Sequence, residues 1–499
     1  MASDLVVGID LGTTALKGAL FDEEGTLMAS ASSEYPIDRR RFDWAEQNAD
    51  DWLYALRGVL AELQRAVPGC CAKAIGICSQ VNSHVFVDKH YNALRPAIIW
   101  QDQRCARFAT ELNERLTARS RPSERVGFPP FAPSATPARA EWVAREEPHV
   151  WEQTQYVLSP KDFVAAHLSV PHSPATDPIT PFELVDDDGR YDDSLIGVVE
   201  GLAERLPPIQ PVEAVVGCVI GDRYPLVEDA IVVTGTMDAW GSVYGSAVLD
   251  HGQAMEVAGT SEILGLMSRE RTPTAGVVSF LQVDGLHLHA GPTQAGGSAV
   301  AWFAGLANVQ VGDVASLAAE VSRGADGLVF LPHLLGERAP LWDSEVRGAF
   351  IGLSSHHALP HLSRAVLEGV AFSARHLLEV LIAAAGTEPQ VIRASGGGSI
   401  SDLWCQTKAD VFGVPLERLV VRNSGCLGAA LMASTGAGLS PSLREAAKAQ
   451  VRVDRTFDPD PDREIYDELY AVYRALYHAL APTHRTLAGL RDQPQLVVN

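Results

Sequence analysis

The chain has 499 residues, 46% of them hydrophobic and 20% charged, with a formal net charge of −22. That length and apolar content predict two or three packed domains, and the acidic balance argues against a general binder of nucleic acid or anionic membranes, although local amides and a metal could still hold a polyphosphate. Seven scattered cysteines without a Cys-x-x-Cys pair, no signal-peptide pattern and no apolar run near the ~18 residues of a membrane span predict a cytoplasmic protein.

The run Val6 to Phe21 predicts a β-hairpin: an apolar strand, the carboxylate of Asp10, a Gly12-Thr13-Thr14 turn and a second apolar strand. Gly12 lets the backbone approach an anion, while the turn amides and the Thr13 and Thr14 hydroxyls are donors to phosphate oxygens. Lys17 adds a point charge, and Asp10 at the strand end suits a magnesium ion held through water. The pattern partly returns around Met255, where Gly259-Thr260-Ser261 matches the first turn and Gly265 matches Gly18, without the Asp. Such repetition predicts a duplicated domain, each half presenting a phosphate-binding hairpin to a shared cleft.

Asp50 or Asp51 is expected to cap a helix with Leu53, Leu56, Leu60 and Leu63 on one face. A strand at Ala74 to Cys78 then leads into the polar turn Ser79-Gln80-Val81-Asn82-Ser83-His84. Polar groups at strand ends, here and at Gln101 to Arg104, suit hydroxyl recognition. Arg119 to Pro137 reads as a long surface connection, Pro160-Lys161-Asp162-Phe163 as the start of a short helix, and Asp177 to Asp193 as a loop whose acidic run is a solvated turn. The strand from Ala230 ends in Gly235-Thr236, and Asp238 follows as small residues begin a helix. A carboxylate there could act as a base toward a substrate hydroxyl or cap the helix. A boundary near Val248 to Gln253 divides the chain into domains 1–248 and 249–499.

In the second half, His287 and His289 share one side of a strand, read as a surface strand rather than a metal pair. Gly291 to Ser298 leads into a helix carrying Val300, Phe303 and Leu306. A long helix is expected over about Leu362 to Leu381 and a final one over Ile465 to Leu480. Between them the strand Val391 to Ala394 feeds Ser395-Gly396-Gly397-Gly398-Ser399, with Ser401-Asp402 capping the next helix. Three glycines before a helix start give close backbone approach and free N–H donors for a nucleotide.

Together these features resemble the FGGY carbohydrate kinase family of the actin and hexokinase superfamily, from about Val6 to about Thr435. The resemblance is most specific at Val329 to Leu353, Ala394 to Val414 and Gly425 to Ala430. It implies an α/β chain of two ribonuclease-H-like domains around a central cleft, with ATP and magnesium as cofactors. By that resemblance Asp10, Gly12, Thr13 and Thr14 face the metal and outer phosphates, and Lys17 stands where the family often keeps a basic residue. Gly259 and Thr260 would meet the γ-phosphate, Gly396, Gly397 and Gly398 the adenosine, and Asp238 would be the catalytic base. The substrate turn Gln80-Val81-Asn82 departs from the Gln-Met-His typical of xylulokinases and from the Gln-Arg-Glu of glycerol kinases, and Ala239 stands where xylulokinases tend to have Asn. Trp44 to Gln47 and Leu94 to Trp100 are xylulokinase-like. The expectation is a sugar kinase for a ketopentose such as xylulose. Another polyol, sugar or sugar acid is the alternative, and behind it stand a nucleotide switch and a phosphatase-like hydrolase. The expected partner is a small sugar, with no nucleic acid and no membrane, and a homodimer is open.

Overall fold

The computed structural model describes residues 4–118, 131–171, 174–219, 224 and 226–491. The expected connection over 119–137 lies outside the described residues up to 130; beyond it Phe131 is buried and the helix Thr136–Glu146 begins. By packing, the chain forms two units: Met1–Leu249 with Phe280–Gln282 and Asn423–Arg452, and Asp250–Ser279 with Val283–Arg422 and Val453–Asn499.

The first unit holds strands β1 (Leu5–Leu11), β2 (Ala15–Phe21), β3 (Leu27–Glu34), β4 (Ala72–Ser79), β5 (Ser169–Val170), β6 (Val215–Val219), β7 (Ile231–Val233) and β8 (Thr236–Met237). The sheet runs β3-β2-β1-β4-β7-β6-β5, and β8 also pairs with β4. The opening hairpin forms where the alternation of apolar runs and turn residues predicts it, with Asp10 opposite Lys17 and Leu11 opposite Leu16. β1 then runs parallel to β4, so their carboxyl ends, Asp10 to Leu11 and Cys78 to Ser79, lie side by side. The helix Ala49–Ala66 buries Leu53, Leu56, Leu60 and Leu63 beneath this sheet, but its cap is Asn48, whose Oδ1 accepts from Asp50 N at 3.2 Å; Asp50 and Asp51 fall in the first turn.

The second unit repeats the scheme with β9 (Gln253–Ala258), β10 (Glu262–Ser268), β11 (Val278–Ser279), β12 (His287–Pro292), β13 (Val391–Ser395), β14 (Leu416–Leu419) and β15 (Val453–Phe457). Its order is β11-β12-β10-β9-β13-β14-β15. In both units an antiparallel meander is followed by a strand parallel to its first strand, β4 in one and β13 in the other. The long helix Leu359–Ala385 buries Leu377 and Leu381 against this sheet, and Val366 and Val370 in a neighbouring cluster with Val300, Phe303 and Phe330. Among the described residues no helix is long and apolar enough to cross a membrane.

The sequence predicts a boundary near 248, and the helix Ser424–Gly436, far beyond it in the chain, packs in the first unit, on β1, β4 and the helix Asp238–Gly245. The reason is backbone-to-backbone contact that only glycine permits. A Cβ on Gly8 would lie 1.8 Å from Cys426 O, one on Gly76 2.0 Å from Ala429 O, and one on Gly428 1.8 Å from Gly241 O.

Candidate active site

Four pieces of the first unit meet at the carboxyl ends of β1 and β4. Asp10 closes β1. Cys78 lies at the end of β4, its Sγ donating to Asp10 Oδ1 at 3.8 Å and to Gly425 O at 3.4 Å. Gly425, in the first turn of the helix Ser424–Gly436, lies so close that a Cβ there would sit 2.9 Å from Asp10 Oδ2. Asp238 opens the helix Asp238–Gly245 at its first position, with Met237 as the cap residue. The N-cap alternative for Asp238 is therefore displaced by one residue, although its Oδ1 does accept from Ala239 N at 2.8 Å.

The electrostatics follow from that crowding. Burial lifts the Asp10 carboxyl above its ordinary range, against the pull of Lys17. Burial first, and then the charge of Asp10, pushes Asp238 up to about 7. Burial and the same two carboxylates keep the Cys78 thiol protonated, so it serves Asp10 as a weak neutral donor. Neither Asp10 nor Asp238 has a salt bridge among the described residues, and both keep a partly open face. A desolvated carboxylate without a counterion is costly unless the site leaves room for a ligand's charge or proton.

The turn Gly12-Thr13-Thr14 is braced from below. Gly12 N donates to Ala15 O at 3.1 Å, so the anion donors expected here reduce to Thr13 and Thr14. Gln47 Nε2 donates to Thr13 O at 2.7 Å, Gln80 Nε2 to Gln47 Oε1 at 3.0 Å, Ser83 Oγ to Gln80 Oε1 at 3.2 Å, and Trp100 N to Ser83 Oγ at 3.1 Å. Trp100 Nε1 then donates to Thr13 Oγ1 at 2.8 Å and closes a ring of hydrogen bonds joining the phosphate turn to the expected substrate turn. Gln80 is thus buried and occupied as a brace, while Val81 and Asn82 form the partly exposed part of that turn. Asn82 has φ +54°, a left-handed conformation that Asn tolerates, and its Nδ2 reaches Ser134 Oγ at 3.4 Å. Behind it lies a cavity of about 30 Å³, lined by polar groups of Asn82, His84, Thr136 and Glu183 and by apolar residues such as Val157 and Leu184, with room for one or two waters. Burial and Arg139 lower His84 to about 3, so this neutral ring, 2.9 Å from Thr136 Oγ1, is scaffold.

Trp44 to Gln47 and Leu94 to Trp100 owe their composition largely to a buried ion network. Glu46 pairs with Arg95 at 2.5 Å and Arg104 at 2.8 Å, Asp102 pairs with Arg104 at 2.6 Å and Arg139 at 3.2 Å, and Arg104 lies 3.5 Å over the Trp44 ring.

In the second unit Gly259 and Thr260 form an exposed turn between β9 and β10. Gly297 N and Ser298 N, at the start of the helix Gly297–Ala307, donate to Gly259 O and Thr260 O at 2.9 Å each, fixing the turn. The glycine triplet stands beside it but is not uniform. Cβ atoms on Gly396 and Gly398 would meet Ala258 O at 2.4 Å and Ala258 Cβ at 2.7 Å, so these two pack closely on Ala258, whereas a Cβ on Gly397 would face open space. Glu262, missed by the sequence reading, lies directly after the turn: fully buried, it shares Lys408 Nζ with Glu256, both at 2.6 Å. No sequence signal marks that trio, because Lys408 comes from a distant helix. His289 bonds Ser268 Oγ at 2.9 Å, and among the described residues no cluster of three His, Cys, Asp or Glu side chains is arranged to hold a metal.

The structure therefore brings Asp10, the Gly12 to Lys17 turn, Gln80 to Asn82 and Asp238 together in the first unit, and Gly259, Thr260 and Gly396 to Gly398 together in the second. Compared with known proteins, residues 5–245 match the N-terminal domain and residues 254–437 the C-terminal domain of the FGGY family of carbohydrate kinases. The xylulose kinase of Lactococcus lactis subsp. lactis (strain IL1403) is 29% identical over 98% of this chain and 99% of its own. Among solved structures, a ligand-bound xylulose kinase and a gluconate kinase, both from Lactobacillus acidophilus, each superpose with a TM-score of 0.84 at 27% identity, over 97% of this chain and 100% of theirs.

Proposed function

Since the chain belongs to the FGGY family of carbohydrate kinases and is a sugar kinase, we propose that it transfers the γ-phosphate of ATP to a hydroxyl of a ketopentose such as xylulose, with Asp238 as the base. The observation that carries this reading is the Asp238 carboxylate: partly open, without a salt-bridged cation among the described residues, and pushed up to about 7 by burial and by Asp10. A base of that strength holds a proton from an alcohol and releases it near neutral pH. Its hydrogen bond from Ala239 N, at 2.8 Å, fixes one oxygen and leaves the other for the substrate.

The residues fit a magnesium ion held through water. Asp10 offers a desolvated carboxylate whose hydrogen-bond partner among the described residues is the Cys78 thiol, and a lone carboxylate with water suits magnesium better than a caged metal. When bound, the ion would neutralise charge on the phosphate oxygens. In this reading Thr13 and Thr14 donate to the outer phosphates, Lys17 adds charge, Gly259 and Thr260 serve the γ-phosphate, and Gly397 the adenosine. Val81 and Asn82 contact the sugar, and Gln80 holds their turn at the spacing set by Thr13.

A sugar acid is the second reading, favoured by one observation: the chain is as similar to the gluconate kinase structure as to the ligand-bound xylulose kinase structure. The test is ADP release over pentuloses, polyols and sugar acids, for the natural protein and for Asp238→Asn. The proposal expects the fastest turnover with a ketopentose, and a folded variant that still binds nucleotide yet loses turnover. Preference for gluconate selects the second reading; phosphate release without a phosphorylated sugar contradicts both.

A further inference from the structure

We propose that Thr236 is a positioning residue for Asp238, held in place by a buried Lys161–Asp177 cluster; this rests on Asp238 acting as the base. The acidic run expected as a solvated turn has Asp187 and Asp188 exposed, whereas Asp177, at the start of the same loop, is 0% exposed. Lys161, also 0% exposed, stands at the start of the helix Pro160–Leu168. Its Nζ lies 2.5 Å from Asp162 Oδ1 and 3.0 Å from Asp177 Oδ2, and donates to Thr234 O at 3.3 Å. Asp177 Oδ1 accepts from Thr236 Oγ1 at 2.9 Å and from the N–H groups of Ile179 and Thr180, both at 3.0 Å.

These bonds converge on the segment that delivers the base. β8 is two residues long, and its register with β4 consists of Thr236 opposite Cys78 and Met237 opposite Ser79. Before it, Gly235 takes φ +72°, and a Cβ there would lie 1.9 Å from Ile77 O, so the chain steps sideways onto β4 through a left-handed glycine. A strand that short has little backbone pairing to hold its register. Thr234 and Gly235 are held by Thr234 N to Ala214 O at 3.0 Å, Thr234 Oγ1 to Ala214 O at 3.2 Å and Gly235 N to Val212 O at 2.9 Å, and the side-chain bond from Thr236 to Asp177 carries that fixation one residue closer to Asp238. The cluster reaches the substrate turn as well, because Lys161 N donates to Ser79 Oγ at 3.2 Å, one residue before Gln80.

The chemistry of the cluster favours registry over stability. Two carboxylates and one ammonium are fully buried, and a buried ion group is often no more stabilising than apolar residues of the same volume. What apolar residues would not do is hold Thr236 at a fixed point. Two residues on, Asp238 must meet a hydroxyl at hydrogen-bond distance, and a misplacement of ~1 Å can cost ~100-fold in rate.

The test compares Thr236→Val, Thr236→Ser and Asp238→Asn by sugar-dependent ADP release, nucleotide affinity and thermal unfolding. Val keeps the volume and removes the hydroxyl; Ser keeps the hydroxyl. Because Asp177 retains its two backbone donors, Thr236→Val is expected to unfold within a few degrees of the natural protein. Its kcat is expected to fall at least 10-fold with an unchanged KM for ATP, and Thr236→Ser to recover to within 2-fold. Should the Val variant fail to fold, Thr236→Ala set against Thr236→Ser isolates the hydroxyl, with the same expected gap. Natural turnover in Thr236→Val or Thr236→Ala while Asp238→Asn is inactive overturns this inference and leaves the base assignment standing. Equal losses in the Ser and Val variants also overturn it, and natural turnover in Asp238→Asn overturns the reading beneath it.

Discussion

The two hairpins share a backbone plan and use their carboxylates in opposite ways. In the first, Asp10 precedes the Gly12-Thr13-Thr14 turn, keeps an open face and has no cation within salt-bridge distance among the described residues. In the second, Val257 occupies the matching place, and the carboxylate, Glu262, follows the turn, fully buried on Lys408. One acid is left electrostatically unsatisfied at an open face and suits a ligand. The other is neutralised and holds a turn whose hydroxyl side, at Thr260, is exposed. The two units thus share the hairpin geometry and differ in where the carboxylate and its counterion lie.

Four outcomes would break or sharpen that contrast. Largest, Asp238→Asn is expected to lower turnover by about 10²- to 10⁴-fold, the usual weight of a general base. Its melting temperature should not fall, because burial already disfavours the charged carboxyl in the folded state. Comparable is Lys408→Met, expected to cost about 3–5 kcal/mol by stranding two buried carboxylates, read by calorimetry. Its pH dependence has a definite sign. Burial holds Glu262 near 7 against an ordinary 4.5, so its contribution is fullest below about 4.5 and is lost as pH rises through 7. Lys408 opposes that rise, so removing it should widen the deficit at pH 8 and narrow it at pH 5. Next, Gly396→Ala is expected to destabilise by about 1–3 kcal/mol, since φ is +84° and Ala258 O lies 2.4 Å from the new Cβ. Smallest, Gly397→Ala should change stability by less than about 0.5 kcal/mol and alter only the KM for ATP; no change in that KM would remove Gly397 from the adenosine.

The parts of this account that were readable in the sequence are the local ones. The opening hairpin is encoded by adjacent residues, with apolar runs on either side of Gly12-Thr13-Thr14, and so is the amphipathic face Leu53, Leu56, Leu60 and Leu63. Asp238 stood out because a strand, a glycine and a helix start follow one another there. What was not readable depends on contacts between distant segments. That Gln80 links Gln47 to Ser83, with one hydrogen bond at each end of its amide, depends on segments the sequence does not place together. Asp177 looks like one more loop acid until Lys161 is seen against it. The packing of the helix Ser424–Gly436 in the first unit depends on glycine-to-backbone contacts, which leave no periodic signal. The glycine triplet shows the same limit within one motif, where packing on Ala258 separates Gly396 and Gly398 from Gly397.

The central claim is that Asp238 works as a base because burial and Asp10 keep its proton affinity near neutrality. The most direct measurement is kcat/KM for the sugar from pH 5 to pH 9, at saturating ATP and constant ionic strength. The account predicts a plateau above about 7 and a fall approaching 10-fold per pH unit below it, with the limb absent from the residual activity of Asp238→Asn. A profile flat down to pH 5, or a limb of the same position and height in the Asn variant, would contradict it.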